Sequence, residues 1–216
     1  MKKTLGVVWL NEYSSLKLIR EGLVILVDPC QIPSSSIEHA DYILISHEHF
    51  DHLDIGLIKE IYRKSFSMIL ADTESSSRLK SYFPREHLRT MRPSDLYKDS
   101  KITVRAYKSI HPAVNPVTYL IEYPDGMKVY YAGDSLVAGE HSQIAKSDID
   151  VAFIPVGIAP GASPKSGSEM VHVVQPKIAI PFHGTRLKDF KSLVEVRDPK
   201  VIVQIIPKDV EVVIEI

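Results

Sequence analysis

A cluster of histidines placed directly after an apolar strand constrains this chain more than any other feature of its sequence. Residues 41–46 read Asp-Tyr-Ile-Leu-Ile-Ser, and residues 47–52 read His-Glu-His-Phe-Asp-His. The apolar run predicts a buried strand, and the polar segment begins where that strand ends. A rigid strand end can hold the side chains of the following loop in fixed positions. The segment is therefore the first candidate for a functional site.

The spacing of this segment is typical of metal ligands. Imidazole nitrogens and carboxylate oxygens suit Zn²⁺, and they also suit Fe or Mn. His47 and His49 can converge on one ion, while Asp51 and His52 can turn toward a second. A solvated loop that happens to be rich in histidine is the alternative, but random sequence would produce the pattern in only about one such chain in a thousand.

Composition limits what else could supply ligands. Cys30 is the only cysteine among 216 residues, so an intramolecular disulfide and a Cys-rich zinc site are excluded. The formal net charge of −1 leaves no global basic field for a nucleic-acid backbone. The length predicts a single domain spanning residues 1–216.

The N-terminus does not predict a targeting segment. Met1, Lys2 and Lys3 resemble the basic start of a signal peptide, but the apolar run that follows stops at Leu10 and has no small-residue cleavage site. No apolar run approaches the ~20 residues of a membrane helix. We therefore expect a soluble cytoplasmic protein that does not act at a membrane.

Hydrophobic patterning predicts a β-rich chain with four or five helices interspersed. The predicted strands are 5–10, 15–20, 23–27, 41–46, 68–71, 101–109, 118–123, 127–132, 149–155, 177–180, 201–206 and 210–216. The predicted helices begin after Asp54, span 73–83 and 163–175, and include 187–194. Two packed sheets with outer helices and an open α/β sheet both fit this order.

Three further candidate ligands follow predicted strands: His111, Asp134 and His183. Taken singly, each has an ordinary explanation, since a lone His is usually hydrogen-bonded and Asp often forms turns. Together with the first cluster, they supply what a two-metal site lacks. They add a third nitrogen for one ion, a second nitrogen for the other, and a bridging carboxylate.

These motifs together resemble the metallo-β-lactamase superfamily. The matching segments are HEHFDH at 47–52, SIHP at 109–112, YAGDS at 131–135, PFHG at 181–184 and ILVDP at 25–29. Their order covers nearly the whole chain. Within the superfamily, the chain resembles small stand-alone metal-dependent hydrolases that include ascorbate-phosphate lactonase-like and phospholipase D-like members.

The resemblance implies an α+β fold, the αββα four-layer sandwich, with two divalent metal ions at one edge. Zn is the expected metal, with Mn and Fe as alternatives. The implied ligands of one ion are His47, His49 and His111. Those of the other are Asp51, His52 and His183, and Asp134 is the implied bridge.

Such a site implies hydrolysis of a small-molecule substrate. Two ions about 3.5–4 Å apart hold a water whose pKa falls to roughly 7, so hydroxide is available to attack an ester, lactone or phosphodiester. Asp51 and Asp134 are the expected catalytic residues, since they position that hydroxide through the metals. Tyr13, His141 and Lys165 are candidates for the acid that protonates the leaving group.

Three other functions use the same fold. An RNA-cleaving nuclease would carry an inserted domain or arm, and the near-neutral charge disfavours a nucleic-acid partner. A diiron redox protein would have Glu where this chain has His49, and would need a flavin-bearing partner domain. A non-enzymatic module would not retain all seven ligands. Residues 11–14 and 156–167 are expected to border the site and influence substrate choice.

Overall fold

A computed structural model describes residues 3–216. Met1 and Lys2, part of the segment that is not expected to be a signal peptide, lie outside the described residues. The chain divides into two compact units, which are described separately below. The first unit contains the residues up to Met91, Ala113–Pro116 and Pro207–Ile216, and the second contains Arg92–Pro112 and Val117–Ile206.

The described residues form strands and helices in a mixed order along the chain. The strands are β1 (Thr4–Trp9), β2 (Leu16–Arg20), β3 (Leu23–Val27), β4 (Tyr42–Ile45), β5 (Met68–Ala71), β6 (Leu88–Thr90), β7 (Leu96–Lys98), β8 (Thr103–Lys108), β9 (Val117–Glu122), β10 (Lys128–Tyr131), β11 (Val151–Pro155), β12 (Ile178–Phe182), β13 (Ile202–Val203) and β14 (Val212–Glu215). The α-helices are α1 (Ile55–Ser65), α2 (Thr73–Leu79), α3 (His141–Ala145), α4 (Pro164–Val174) and α5 (Leu187–Arg197).

The first unit is built on a seven-stranded sheet in the order β14-β1-β2-β3-β4-β5-β6. Pairing is antiparallel from β14 to β3 and parallel from β3 to β6. All four residues of β4 are buried, as its apolar sequence predicts. Helix α1 begins where the Asp54 carboxylate accepts the Leu57 amide, and it buries Leu57, Ile58 and Ile61 in one core with this sheet.

The second unit is built on another seven-stranded sheet, in the order β13-β12-β11-β10-β9-β8-β7. Here β7 to β10 pair antiparallel, and β10 to β13 pair parallel. Strands β11 and β12 are buried along their whole length. Side chains from the sheet and from α3, α4 and α5 form a separate core that includes Ile154, Met170 and Phe190.

Several local predictions differ from the structure. Strands β6 and β7 have three residues each and were not predicted, because such short edge strands show no clear period. The predicted helix over 73–83 ends at Leu79. The predicted helix over 163–175 begins with a capping box in which Ser163 pairs with Ser166.

A search of the described residues for an apolar helix long enough to cross a membrane finds none.

Asp72 gives the first unit a testable dependence on pH. Its carboxylate caps α2 by accepting the Glu74 amide at 2.8 Å, and burial raises its pKa from 3.8 to about 6. A raised folded-state pKa means that stability is present below about pH 4 and is lost as pH rises toward 6.

We therefore expect Asp72→Asn, which keeps a good capping group, to stabilise the protein more at pH 7 than at pH 4. The difference should be on the order of 2 kcal/mol in the free energy of unfolding, measured by urea titration at both values. Asp54→Asn is the control. Asp54 caps α1 at a less buried position, so this variant measures how replacing a capping carboxylate with an amide changes the free energy of unfolding. An equal effect of Asp72→Asn at both pH values would contradict the assignment.

Candidate metal centre

In the first unit, the loop after β4 folds its polar side chains inward. The amides of His52 and Leu53 both donate to the carbonyl of His49, at 3.0 and 2.9 Å, so the chain turns tightly at this point. His47, Asp51 and His52 are all buried there. The turn thus gathers side chains that an extended loop would expose to solvent.

The donor atoms of this loop have the spacing of metal ligands. His47 Nε2 lies 3.1 Å from His49 Nδ1. Donor atoms of His47 and His52, and those of Asp51 and His52, approach within 4.8 Å of each other. Two ligands bound at about 2.1 Å to a tetrahedral ion lie about 3.4 Å apart, so these separations suit a shared ion.

Asp28 orients one of the candidate ligands. It ends β3, the parallel neighbour of β4, and its side chain is completely buried. One carboxylate oxygen lies 2.7 Å from His52 Nδ1, and the other accepts the Ser46 amide at 2.6 Å. With Nδ1–H donating to the carboxylate, Nε2 carries the lone pair that a metal requires. The motif ILVDP, which contains Asp28, was part of the resemblance but did not predict this contact with His52.

Cys30 and the segment 11–14 hold the same loop through hydrogen bonds. The Cys30 thiol donates to the Asp51 carbonyl at 2.8 Å, and the Ser14 hydroxyl donates to the same carbonyl. Asn11 Nδ2 donates to the Cys30 carbonyl at 2.8 Å. Burial raises the pKa of the Cys30 thiol, so this group is a packing and hydrogen-bonding residue rather than a nucleophile.

Glu48 lies between two candidate ligands but points elsewhere. Its Oε1 accepts the Val114 amide at 2.9 Å, and its carbonyl accepts Arg78 Nη1 at 3.2 Å. The side chain therefore joins the segment 113–116 to the loop after β4, within the first unit. Next to it along the chain, the Phe50 ring is 71% exposed and meets the Tyr13 ring edge-on.

In the second unit, one carboxylate faces two imidazoles. Asp134 Oδ2 lies 3.7 Å from His111 Nε2, and Asp134 Oδ1 lies 3.8 Å from His183 Nε2. All three side chains are almost fully buried. These distances are longer than hydrogen bonds and close to the separation of neighbouring ligands around one ion.

Backbone contacts hold these three ligands in place. Leu136 N donates to Ile110 O at 3.0 Å, and Ile110 N donates to the Ser135 hydroxyl at 2.9 Å, so the loops that carry His111 and Asp134 are tied together. His183 has a φ of 52°, a left-handed conformation that non-glycine residues adopt mainly where surrounding structure enforces it.

The structure separates the three candidates for the leaving-group acid. His141 is fully buried in α3, its Nδ1 accepts the Ala138 amide at 2.9 Å, and burial lowers its pKa to about 4. It is neutral at pH 7 and does not fit the role. Lys165 is exposed at the start of α4. Tyr13 contacts the loop after β4 in its own unit, through the Phe50 ring.

Each unit therefore gathers candidate metal ligands. The first unit offers three imidazoles and a carboxylate, and the second offers two imidazoles and a carboxylate. Nitrogen-rich sets of this kind suit zinc in particular.

Comparison with known proteins agrees with the motifs. A family profile described as "Beta-lactamase superfamily domain" matches residues 7–183. A relative from Thermococcus kodakarensis, named a metal-dependent hydrolase, is 28% identical over 180 residues and covers 77% of this chain and 79% of its own.

Two solved structures share the fold. A metallo hydrolase from Ignicoccus hospitalis has a TM-score of 0.86 at 19% identity and covers 99% of this chain and 100% of its own. A metallo-β-lactamase fold protein from Bacillus subtilis has a TM-score of 0.76 at 15% identity and covers 99% of each chain. The α+β fold of the metallo-β-lactamase type, predicted from the sequence, is confirmed.

The contact between Asp28 and His52 leads to a prediction about metal affinity. Asp28→Asn removes the charge that orients and polarises the imidazole, so zinc affinity should fall by about 10- to 100-fold. The measurement is competition with a chelator of known affinity. Asp41→Asn is the control, because Asp41 also accepts a backbone amide, that of Val24, but does not contact a candidate ligand. Equal zinc affinity in both variants would remove Asp28 from the site.

Proposed function

We propose that this chain, which belongs to the β-lactamase superfamily, is a metal-dependent hydrolase that cleaves an ester, lactone or phosphodiester bond of a small molecule. The observation that carries the proposal is the placement of Asp134, whose two carboxylate oxygens face two different imidazoles. A carboxylate in that position can bridge two ions.

We assign the ligands as the sequence motifs imply. The proposed ligands of the first ion are His47, His49 and His111. Those of the second are Asp51, His52 and His183, with Asp134 shared. With this assignment we propose that residues 1–216 form one functional domain.

When bound, the metal ions would activate a water molecule as the nucleophile and polarise the substrate oxygen that gains charge. We propose Zn, with Mn or Fe as alternatives, because five of the seven donors are imidazoles. The side chains provide orientation and charge. Asp28 keeps the proton of His52 on Nδ1, and Asp51 and Asp134 supply the negative charge that offsets the cations.

The thiol and hydroxyl side chains near the candidate ligands are poorly placed to act as nucleophiles, which supports water in that role. The Cys30 thiol is buried and donates to the Asp51 carbonyl, so it is turned away from reaction. Ser14 and Ser46 are likewise buried and are held in hydrogen bonds, to the Asp51 carbonyl and to Asp28. With a net charge of −1, we propose a small-molecule substrate rather than a nucleic acid.

The first test of this proposal is the metal content. Protein reconstituted with zinc or manganese and then desalted should hold about two ions per chain, because the seven candidate ligands provide three donors for each ion and one bridge. Elemental analysis together with protein quantification measures this ratio. Protein that retains no metal after reconstitution would refute the proposal.

The second test removes the proposed bridge. Asp134→Ala should lower both metal content and hydrolysis of a panel of esters, lactones and phosphodiesters, with activity falling by more than about 100-fold. Its circular dichroism spectrum should stay close to that of the unchanged protein, since the residue follows β10 and is not part of the apolar core.

Asp198→Ala is the matched control in the same unit. Asp198 is also a buried carboxylate, but it contacts His172 Nδ1 at 3.0 Å, at the end of α5. Its loss should cost about 1 kcal/mol of stability and leave the metal content unchanged. Full activity of Asp134→Ala on the panel would remove Asp134 from the site.

A further inference from the structure

A cavity of about 340 Å³ lies in the second unit beside the candidate ligand His183. Its walls include the apolar side chains of Val156, Ile158, Ala162 and Pro164. This volume is near the lower end of the range of small-molecule pockets, about 300–1,000 Å³. The cavity is therefore large enough for part of a substrate and too small for a large one.

The cavity is rigidly connected to His183. Ile158 N donates to the His183 carbonyl at 2.9 Å. At Gly184, a Cβ atom would lie 2.8 Å from the backbone nitrogen of Gly157, so only glycine permits this approach of the two chain segments. A group seated in the cavity would thus have a defined position relative to the backbone of His183.

The start of α4, which also lines the cavity, offers little to an anion. Helix N-termini often bind phosphate or carboxylate through unbonded amides. Here Pro164 has no amide hydrogen, and the Ser166 amide donates to the Ser163 hydroxyl at 3.1 Å. The Gly167 amide donates to the Ser163 carbonyl at 2.9 Å. The capping box and the first helical hydrogen bond therefore occupy two of the donors that an anionic group would need.

The cation at the edge of the cavity is also paired. Arg186 contacts one carboxylate oxygen of Asp189 through Nε at 2.7 Å and through Nη2 at 2.6 Å. Lys165 is exposed and is not among the residues that line the cavity. The lining thus combines the apolar walls with a cation that is already paired with a carboxylate.

We propose that this cavity, the acyl pocket, receives an uncharged apolar acyl group, so that the substrate is a carboxylic ester or lactone rather than a phosphodiester or an ester of a dicarboxylic acid. The inference rests on the proposed hydrolase function and adds the substrate class to it. Hydrolysis forms a bond between the water oxygen and the acyl carbon, and breaks the bond from that carbon to the leaving oxygen. The leaving oxygen takes a proton, and the acid product is released as a carboxylate with loss of a proton.

The test compares matched substrates on the zinc-loaded full chain. For p-nitrophenyl acetate, butyrate and hexanoate, kcat/KM should rise by about fourfold for each CH₂ group that enters the acyl pocket. p-Nitrophenyl hexanoate should be preferred at least tenfold over mono-p-nitrophenyl adipate, which has an acyl chain of equal length ending in a carboxylate. Bis(p-nitrophenyl) phosphate should be a poorer substrate than any of these esters.

Two variants test whether the preference for longer acyl chains arises in the acyl pocket. Ala162→Leu fills the pocket and should abolish or reverse the preference for hexanoate over acetate. Ile158→Ala removes part of the wall and should weaken the dependence on chain length. Ile202→Ala is the control, because Ile202 is an exposed isoleucine on β13, away from the pocket. Circular dichroism and the thermal midpoint verify that each variant is folded.

The outcomes separate this inference from the function on which it rests. Turnover of esters with no dependence on acyl length, equal use of the adipate ester, or turnover of the phosphodiester alone would overturn the acyl pocket and leave the hydrolase proposal intact. Length dependence that survives in Ala162→Leu and Ile158→Ala would also overturn it. Failure of the zinc-loaded protein to hydrolyse any ester, lactone or phosphodiester would overturn the hydrolase proposal itself, and the acyl pocket with it.

Discussion

The buried carboxylate of Asp28 makes the hydrogen bonds that fix the start of the loop carrying the first unit's candidate ligands. It lies at the end of β3 and accepts both the amide and the hydroxyl of Ser46, at the end of the neighbouring strand β4. The same carboxylate holds His52 Nδ1 at 2.7 Å. A buried charge is costly unless it is fully hydrogen-bonded, and here the strand ends and the imidazole satisfy it. The backbone of the loop and the tautomer of one ligand are thereby set together.

Unusual backbone conformations occur at the same places. Asp28 and His183 both have positive φ values, 46° and 52°, although neither is a glycine. Each follows a buried strand, and each turns a polar side chain inward instead of continuing the strand. Such conformations cost free energy and persist where the surrounding contacts determine them. For His183 those contacts include the amide of Ile158, which also carries a wall of the acyl pocket.

Local sequence was sufficient for the elements that have strong periodicity. The strands that precede each candidate ligand, and helices α1, α4 and α5, were predicted from apolar patterning and capping residues such as Asp54 and Ser163. Strands β6 and β7 were missed because three half-exposed residues carry no pattern. His141 is a candidate acid by sequence because it is expected on a loop near the site, whereas the structure places it in α3. Its burial, which lowers its pKa, arises from packing that no local pattern records.

Residue type and spacing along the chain were sufficient to predict the fold family and to single out seven candidate ligands. What orients and surrounds those ligands depends on contacts between distant parts of the chain. Asp28 reaches His52 across 24 positions because β3 and β4 are parallel neighbours, and Gly184 meets Gly157 because β11 and β12 are. The acyl pocket likewise depends on the tertiary structure, because its walls come from two chain segments, one that follows β11 and one that follows β12.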